Sequence, residues 1–161
     1  MEKLKTAKII AGSREVNVEV YGLEDKDELS NLSRVYVIAV DKNKSVPLIY
    51  NSKRDIWGFP GGHVDEGESC SQTASRECIE EIKKTINDCQ PKFLLINKID
   101  NEEEENQVVC FAKIGRECTD NVDENESVKK VIYVPIGEII SKIGNEDLWG
   151  LIVDNFKLWI N

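Results

Sequence analysis

The sequence contains no CxxC pair, no internal repeat, no low-complexity linker and no apolar run long enough to span a bilayer. Each absence removes a class of protein. The five cysteines, Cys70, Cys78, Cys89, Cys110 and Cys118, are odd in number, which argues against a disulfide framework and a zinc knuckle and for reduced thiols. The amino terminus, Met1-Glu2-Lys3-Leu4-Lys5, leads into mixed polar sequence without the apolar core of a signal peptide, so a cytoplasmic protein with no membrane partner is expected. Basic residues are in deficit: 21 Lys and Arg face 30 Asp and Glu, for a net charge of -9. Such a surface repels phosphate backbones and anionic lipid, which disfavours bulk nucleic acid as a partner. It remains compatible with small phosphates when divalent cations lie between the carboxylates and the substrate.

What is present is an ordinary globular composition, 40% hydrophobic and 32% charged over 161 residues, enough for one well-cored domain spanning residues 1–161. Val16, Val18 and Val20 alternate with polar neighbours and predict a half-buried strand. Residues 34–40 and 46–50 read as two strands of a hairpin, joined by the turn Asp41-Lys42-Asn43-Lys44. That turn imitates a calcium loop only faintly, since Val46 and Ser52 stand where Gly and a bidentate Glu are needed. From residue 69 to 84 the pattern turns helical, with Ala74, Cys78, Ile82 and Ile86 recurring every four positions. Residues 92–99 and 107–114 predict two further strands around an acidic turn, and residues 128–134 another that Pro135 halts. Residues 136–143 and 146–159 look helical, with Gly144-Asn145 as the stop between them. Leu148, Leu151, Ile152, Phe156 and Trp159 give the last helix an apolar side that either closes a sheet or forms a dimer contact. Strands before, between and after helices predict an α/β domain with a mixed sheet covered by helices.

The chemistry concentrates in one segment. On a helix, Glu77, Glu80 and Glu81 fall within an arc of about 100°, beside the apolar stripe of Ala74, Cys78 and Ile82. Three like charges on neighbouring turns repel one another, so the cluster is costly unless a cation binds there. A solvated acidic helix face is the bland alternative. Against it stands the loop Trp57-Gly58-Phe59-Pro60-Gly61-Gly62, which leads towards the helix and whose glycines let backbone approach a ligand closely. Oxygen-only donors select a hard cation, magnesium or manganese rather than zinc.

Gly62, Glu68, Arg76, Glu77, Glu80 and Glu81 together stand at the spacing GX5EX7REUXEEXGU, where U is a bulky aliphatic residue, and the segment resembles the signature of the Nudix hydrolases. Cys78 replaces the first aliphatic position, Lys83 the last glycine and Lys84 the last aliphatic position, with Ile86 available to supply the missing apolar contact. The resemblance implies an α/β/α sandwich with a mixed sheet between helices. It implies that Glu77, Glu80 and Glu81, with the backbone carbonyl of Gly61, hold Mg2+ or Mn2+, that Glu77 also takes a proton from water, and that Arg76 and Glu68 orient the site as an ion pair. It further implies hydrolysis of a pyrophosphate bond in a nucleoside diphosphate linked to another group, either a nucleoside triphosphate or a nucleotide sugar. The rival reading is a catalytically silent nucleotide-binding regulatory module of the same fold. A later acidic residue, Glu124 or Glu126, is a candidate to complete the metal shell. The Pro or Tyr that marks some subfamilies beyond the signature is missing, since Ile99, Asp100, Asn101 and Glu102 stand there.

Three neighbouring side chains keep two readings each. Trp57 and Phe59 either stack on a base or act as packing wedges, and His63, the only histidine, either bonds a phosphate or is a polar surface group. A small-molecule nucleotide partner and a monomer or homodimer complete the expectation.

Overall fold

The computed structural model describes residues 1–98, 104–118 and 130–161. Two strands, β1 (Glu2–Ala11) and β2 (Arg14–Gly22), form an antiparallel hairpin whose turn uses Gly12 at φ 68°. Val16, Val18 and Val20 point inward from β2, as their alternation predicts. The sequence reading overlooked β1, because only Ala7 along it is buried and the apolar alternation that marks a strand is absent.

The next strands are β3 (Leu32–Val40) and β4 (Ser45–Asn51). The turn between them is real: Asp41 Oδ1 accepts from the backbone N–H of Asn43 at 2.9 Å and of Ser45 at 2.8 Å. The expected hairpin is not, because β3 and β4 enter different sheets. Short strands β5 (Ile56–Gly58) and β6 (Gly61–His63) follow, then helix α1 (Cys70–Ile82). Lys83 caps α1 in a left-handed conformation (φ 57°, ψ 36°), and β7 (Lys84–Lys98) starts at the next residue. The helix therefore ends two residues earlier than its periodicity predicts. Ile86 lies in β7, yet it packs against the cluster to which Cys78 and Ile82 belong and so adds to that apolar face by another route.

Beyond it come β8 (Glu105–Glu117), β9 (Val131–Pro135), a 3-10 turn (Ile136–Glu138), α2 (Ile139–Ile143) and α3 (Glu146–Trp159). Glu124, Glu126, Val128 and the acidic stretch 99–103 lie outside the described residues.

Six strands form a sheet in the order β1-β2-β7-β8-β3-β6, in which β3 and β8 run parallel and the other neighbours antiparallel. The mixed sheet is as expected. A second sheet has the order β5-β4-β9. Side-chain alternation sorts the large sheet into two faces. Val35, Val37, Ala39, Val108, Cys110 and Ala112 face α1 and meet Ala74, Cys78 and Ile82. Ile38, Val40, Val109 and Phe111 face the other way, towards the small sheet, α2 and α3. This is the α/β/α sandwich. Leu148, Ile152 and Phe156 close its second face, which settles the packing of the last helix's apolar side on the sheet. Among the described residues, no helix is long and apolar enough to cross a membrane.

Phe111 is the keystone of that second layer, 1% exposed, with ring contacts to Phe93 (5.9 Å), Phe156 (5.0 Å) and Trp159 (5.7 Å). Removing a buried phenyl ring forfeits its transfer free energy and leaves a cavity. Phe111→Ala should cost about 3–5 kcal/mol in urea unfolding. A loss too small to resolve would show that α3 does not seat on this ring.

Candidate active site

The amino-terminal end of α1 is fixed by its own sequence. Ser69 accepts from Gln72 N–H at 3.2 Å while the Gln72 side chain accepts from Ser69 N–H at 2.8 Å, a reciprocal capping box. This sets the helix register, and the register puts Arg76, Glu77, Glu80 and Glu81 towards β6 and the loop that follows it.

Arg76 is the hub. Its Nε and one terminal nitrogen each donate to Glu68 at 2.9 Å, a two-pronged contact that suits the planar guanidinium. The same terminal nitrogen donates to the carbonyl of His63 at 3.0 Å and approaches Asp65 at 3.4 Å. The other terminal nitrogen donates to Glu77 at 3.0 Å and, more weakly, to Glu80 at 3.5 Å. Glu68 also accepts from Thr73 Oγ1 at 3.0 Å and from Asp65 N–H at 2.9 Å. Thr73 is fully buried and was missed in the sequence, where one hydroxyl among the helix's polar residues gives no signal.

The carboxylates differ in setting. Arg76 holds Glu68 far down, to about 2, with help from the Asp65 N–H. Glu77 goes the other way: burial pushes its carboxyl above the ordinary range and the charge of Glu81 adds to that, against the pull of Arg76. Arg76 in turn is held more firmly protonated, first by Glu68. Glu81 accepts from Gly61 N–H at 2.9 Å, which brings it to the residue whose carbonyl is the expected fourth ligand.

Both glycines of the double-glycine step are required by contact. A Cβ on Gly61 would lie 2.0 Å from the carbonyl oxygen of Val35, and one on Gly62 would lie 2.2 Å from Glu77 Oε1. Glu77 thus lies flat against strand backbone that only glycine leaves bare. Lys83 does not relieve the cluster directly, since its Nζ donates to the backbone carbonyl of Glu80 at 2.5 Å. One guanidinium therefore faces Asp65, Glu68, Glu77 and Glu80. The excess negative charge and the oxygen-only donors fit a hard divalent cation. Among the described residues, no three His, Cys, Asp or Glu side chains are gathered around a single point in the way an ion requires. Glu80 and Glu81 turn instead to Arg76 and to Gly61 N–H, so an ion has to draw them off those partners.

The remaining candidates separate. His63 sits exposed on β6, opposite Arg34 of β3. Trp57 is half-buried on β5 against the ring of Tyr50, with centroids 5.2 Å apart. Phe59 is 7% exposed and packs on Trp149 at 5.0 Å, so its ring is a packing wedge in the core and not an open surface for a base.

A family profile for the NUDIX domain matches residues 30–152, and the chain belongs to the Nudix family. Nudix hydrolase 3 of Caenorhabditis elegans is 30% identical over 130 residues, covering 76% of this chain and 54% of that protein. A putative 8-oxo-dGTP diphosphatase of Bacillus subtilis is 37% identical over 46 residues, 29% of this chain and 31% of that one. The chain thus spans about half the length of the first of these relatives and less of the second. Among solved structures, a pyrophosphohydrolase of Bacillus subtilis superposes with a TM-score of 0.71 at 17% identity, over 100% of this chain and 98% of that chain. An Ap4A hydrolase of C. elegans gives 0.56 at 18% identity, over 81% of this chain and 99% of that chain. The Nudix domain of Shewanella oneidensis NrtR, complexed with ADP ribose, gives 0.57 at 18%, over 84% of this chain and 94% of that chain. These likenesses are of fold.

The Arg76–Glu68 contact makes a pH-dependent contribution whose sign is fixed. Glu68 ionises at about 2 in the folded chain against an ordinary 4.5, so its stabilisation is complete above pH 4.5 and is lost as the pH falls through about 2. Glu68→Gln should be less stable than the parent at neutral pH, with the gap closing from pH 4.5 downwards in urea unfolding. A gap that stayed constant over that range would assign the loss to packing instead of charge.

Proposed function

We propose that this chain, acting as one domain, is a divalent-metal-dependent hydrolase of the pyrophosphate bond in a nucleoside diphosphate linked to another group. The observation that carries the reading is the packing of Glu77 against Gly62 and of Glu81 on the N–H of Gly61, with Arg76 shared between Glu77 and Glu80 on the same helix. The residues assigned to Mg2+ or Mn2+ are Glu77, Glu80, Glu81 and the Gly61 carbonyl. When bound, the ion would polarise phosphoryl oxygens and lower the pKa of a water molecule.

The chain's own groups do the rest. Glu77, shielded from solvent and with a carboxyl of raised basicity, accepts the proton of the attacking water. The water oxygen bonds to one phosphorus as the bridging oxygen leaves with the other phosphate, and no covalent enzyme intermediate is needed. Arg76 and Glu68 are positioning residues: they tie α1 to the loop before it, so the carboxylates meet the substrate at a fixed distance. A nucleotide-sized substrate fits the family, and the acidic surface fits exclusion of nucleic acid. All five cysteines are free thiols, which suits the reducing cytoplasm.

A phosphate-release screen over nucleoside triphosphates, nucleotide sugars, dinucleoside polyphosphates and coenzymes tests the proposal. At least one class should turn over with magnesium or manganese, poorly with calcium, and not in excess chelator. Glu77→Gln, Glu80→Gln and Glu81→Gln should each reduce kcat roughly a hundredfold or more while melting like folded proteins, the scale expected when a general base or its charge partner is lost. Turnover that survives chelation, or full activity in all three variants, would return the cluster to a solvated acidic face. Binding without turnover of any class would favour the silent regulatory module.

A further inference from the structure

Three of the five thiols converge at the amino-terminal end of the carboxylate helix. Cys70 is the first residue of α1, Cys110 lies in β8 on the face turned towards α1, and Cys89 lies in the neighbouring strand β7. Cys110 is fully buried, whereas Cys70 and Cys89 are partly exposed and pack against the buried cluster to which Cys110 belongs. Between the pairs Asn87–Lys113 and Gln90–Phe111 the ladder carries one more residue on β7 than on β8, and Asp88 adopts φ 52° there. A bulge of this kind re-aims the side chains within it, and Cys89 is one of them.

Hydrogen bonds order the three sulfurs. The S–H of Cys110 donates to the sulfurs of Cys70 and Cys89, and the hydroxyl of Ser71 serves both as well. The Cys70 sulfur also accepts from its own backbone N–H and that of Ser71, donors that a helix leaves open in its first turn. With Cys110 contributing most, these donors hold the Cys70 thiol down to about 6, so it is largely a thiolate at neutral pH. Cys89 is lowered in the same way, and Cys110, which donates to both, is raised and keeps its proton.

Thiols gathered in this manner suit either a soft metal ion or oxidation chemistry. Among the described residues, no three His, Cys, Asp or Glu side chains surround a point as an ion requires. Filling of the apolar layer accounts for Cys110 alone and leaves two partly exposed sulfurs on it unexplained. Oxidation chemistry uses all three: a thiolate open to solvent, a thiol in contact behind it, and a second acceptor for that thiol's proton.

We propose that Cys70, Cys89 and Cys110 form a site of reversible oxidation by small hydroperoxides, closing a Cys70–Cys110 disulfide that fastens the carboxylate helix to the central sheet. The Cys70 thiolate attacks one peroxide oxygen, the O–O bond breaks, and a sulfenic acid forms as the other oxygen leaves and takes a proton from solvent to become water or an alcohol. Cys110 then passes its proton to Cys89 while its sulfur bonds to that of Cys70. Hydroxide departs from Cys70 and takes the proton back from Cys89, leaving as water. Two thiols have lost two electrons to the peroxide, and a dithiol reductant reverses the change through a mixed disulfide. Neither step involves the carboxylates assigned to the metal.

The test treats the reduced full chain with equimolar hydrogen peroxide at neutral pH, alkylates the remaining thiols and maps the linked peptides by mass spectrometry. The linked pair should hold Cys70 and Cys110, and dithiothreitol should restore both thiols. The oxidised chain should melt ~5 °C or more above the reduced one, because the bond closes a loop of about 40 residues in the unfolded chain. Cys70→Ser, a change at a partly exposed position, should abolish the bond, whereas Cys89→Ser should slow its formation severalfold and leave the same pair linked. A bond between Cys89 and Cys110, oxidation confined to Cys118, or sulfinic acid at Cys70 with no disulfide overturns the site. Disulfide formation at an undiminished rate in Cys89→Ser removes Cys89 as the proton acceptor. A mapped Cys70–Cys110 bond with no rise in melting temperature overturns the fastening of the helix.

Discussion

The site is organised by the fork of Arg76. Its nitrogens reach a loop carboxylate, a strand carbonyl and two helix carboxylates, so three separate pieces of backbone are held by one planar group. Glu68 takes the larger share of that fork, with two donors at 2.9 Å. The consequence is a division of labour between chemically identical side chains. Glu68 is held ionised by two donors of the guanidinium, whereas Glu77 is half-buried against bare glycine backbone and has one donor. Environment separates these roles; residue type does not.

Much of this was legible in the sequence, for physical reasons that can be named. The spacing of Glu77, Glu80 and Glu81 follows from 3.6 residues per turn, and the glycines at 61 and 62 follow from the close approach of β6 to β3 and to α1. The mixed sheet showed in apolar runs such as 34–40, buried on both faces, which read as strand without further context. What escaped was whatever depends on distant chain. The β3–β4 hairpin was inferred from a sound local turn, but the partner of β3 is β8 in one direction and β6 in the other, and no local pattern encodes that choice. The first half of β7 is polar and broken by register shifts, so its strand character comes from pairing with β8 and not from alternation. Ile86 counted as a helical repeat because residues of a strand that returns past a helix fill the same apolar gap.

Tyr36 and Trp149 show the same dependence on distant chain: their edge-to-face contact at 5.7 Å ties β3 to α3, so the last helix reaches the neighbourhood of the glycine strand although more than eighty residues separate them. Phe59 joins the same aromatic group, anchoring the glycine loop in the second layer while its carboxylates belong to the first.

The junction of α1 and β7 leaves a single residue, Lys83, between the carboxylate helix and a strand of the central sheet. A chain with no slack at that point has no freedom to gain or lose a residue there: one insertion would rotate the helix by about 100° relative to the strand and turn its acidic edge away from the glycines. Length variation is thereby pushed away from this junction and into the other connections. In a lineage that retains this junction, diversification has to proceed in the surfaces around the carboxylate helix, while helix, junction and glycine strand are inherited as one indivisible piece.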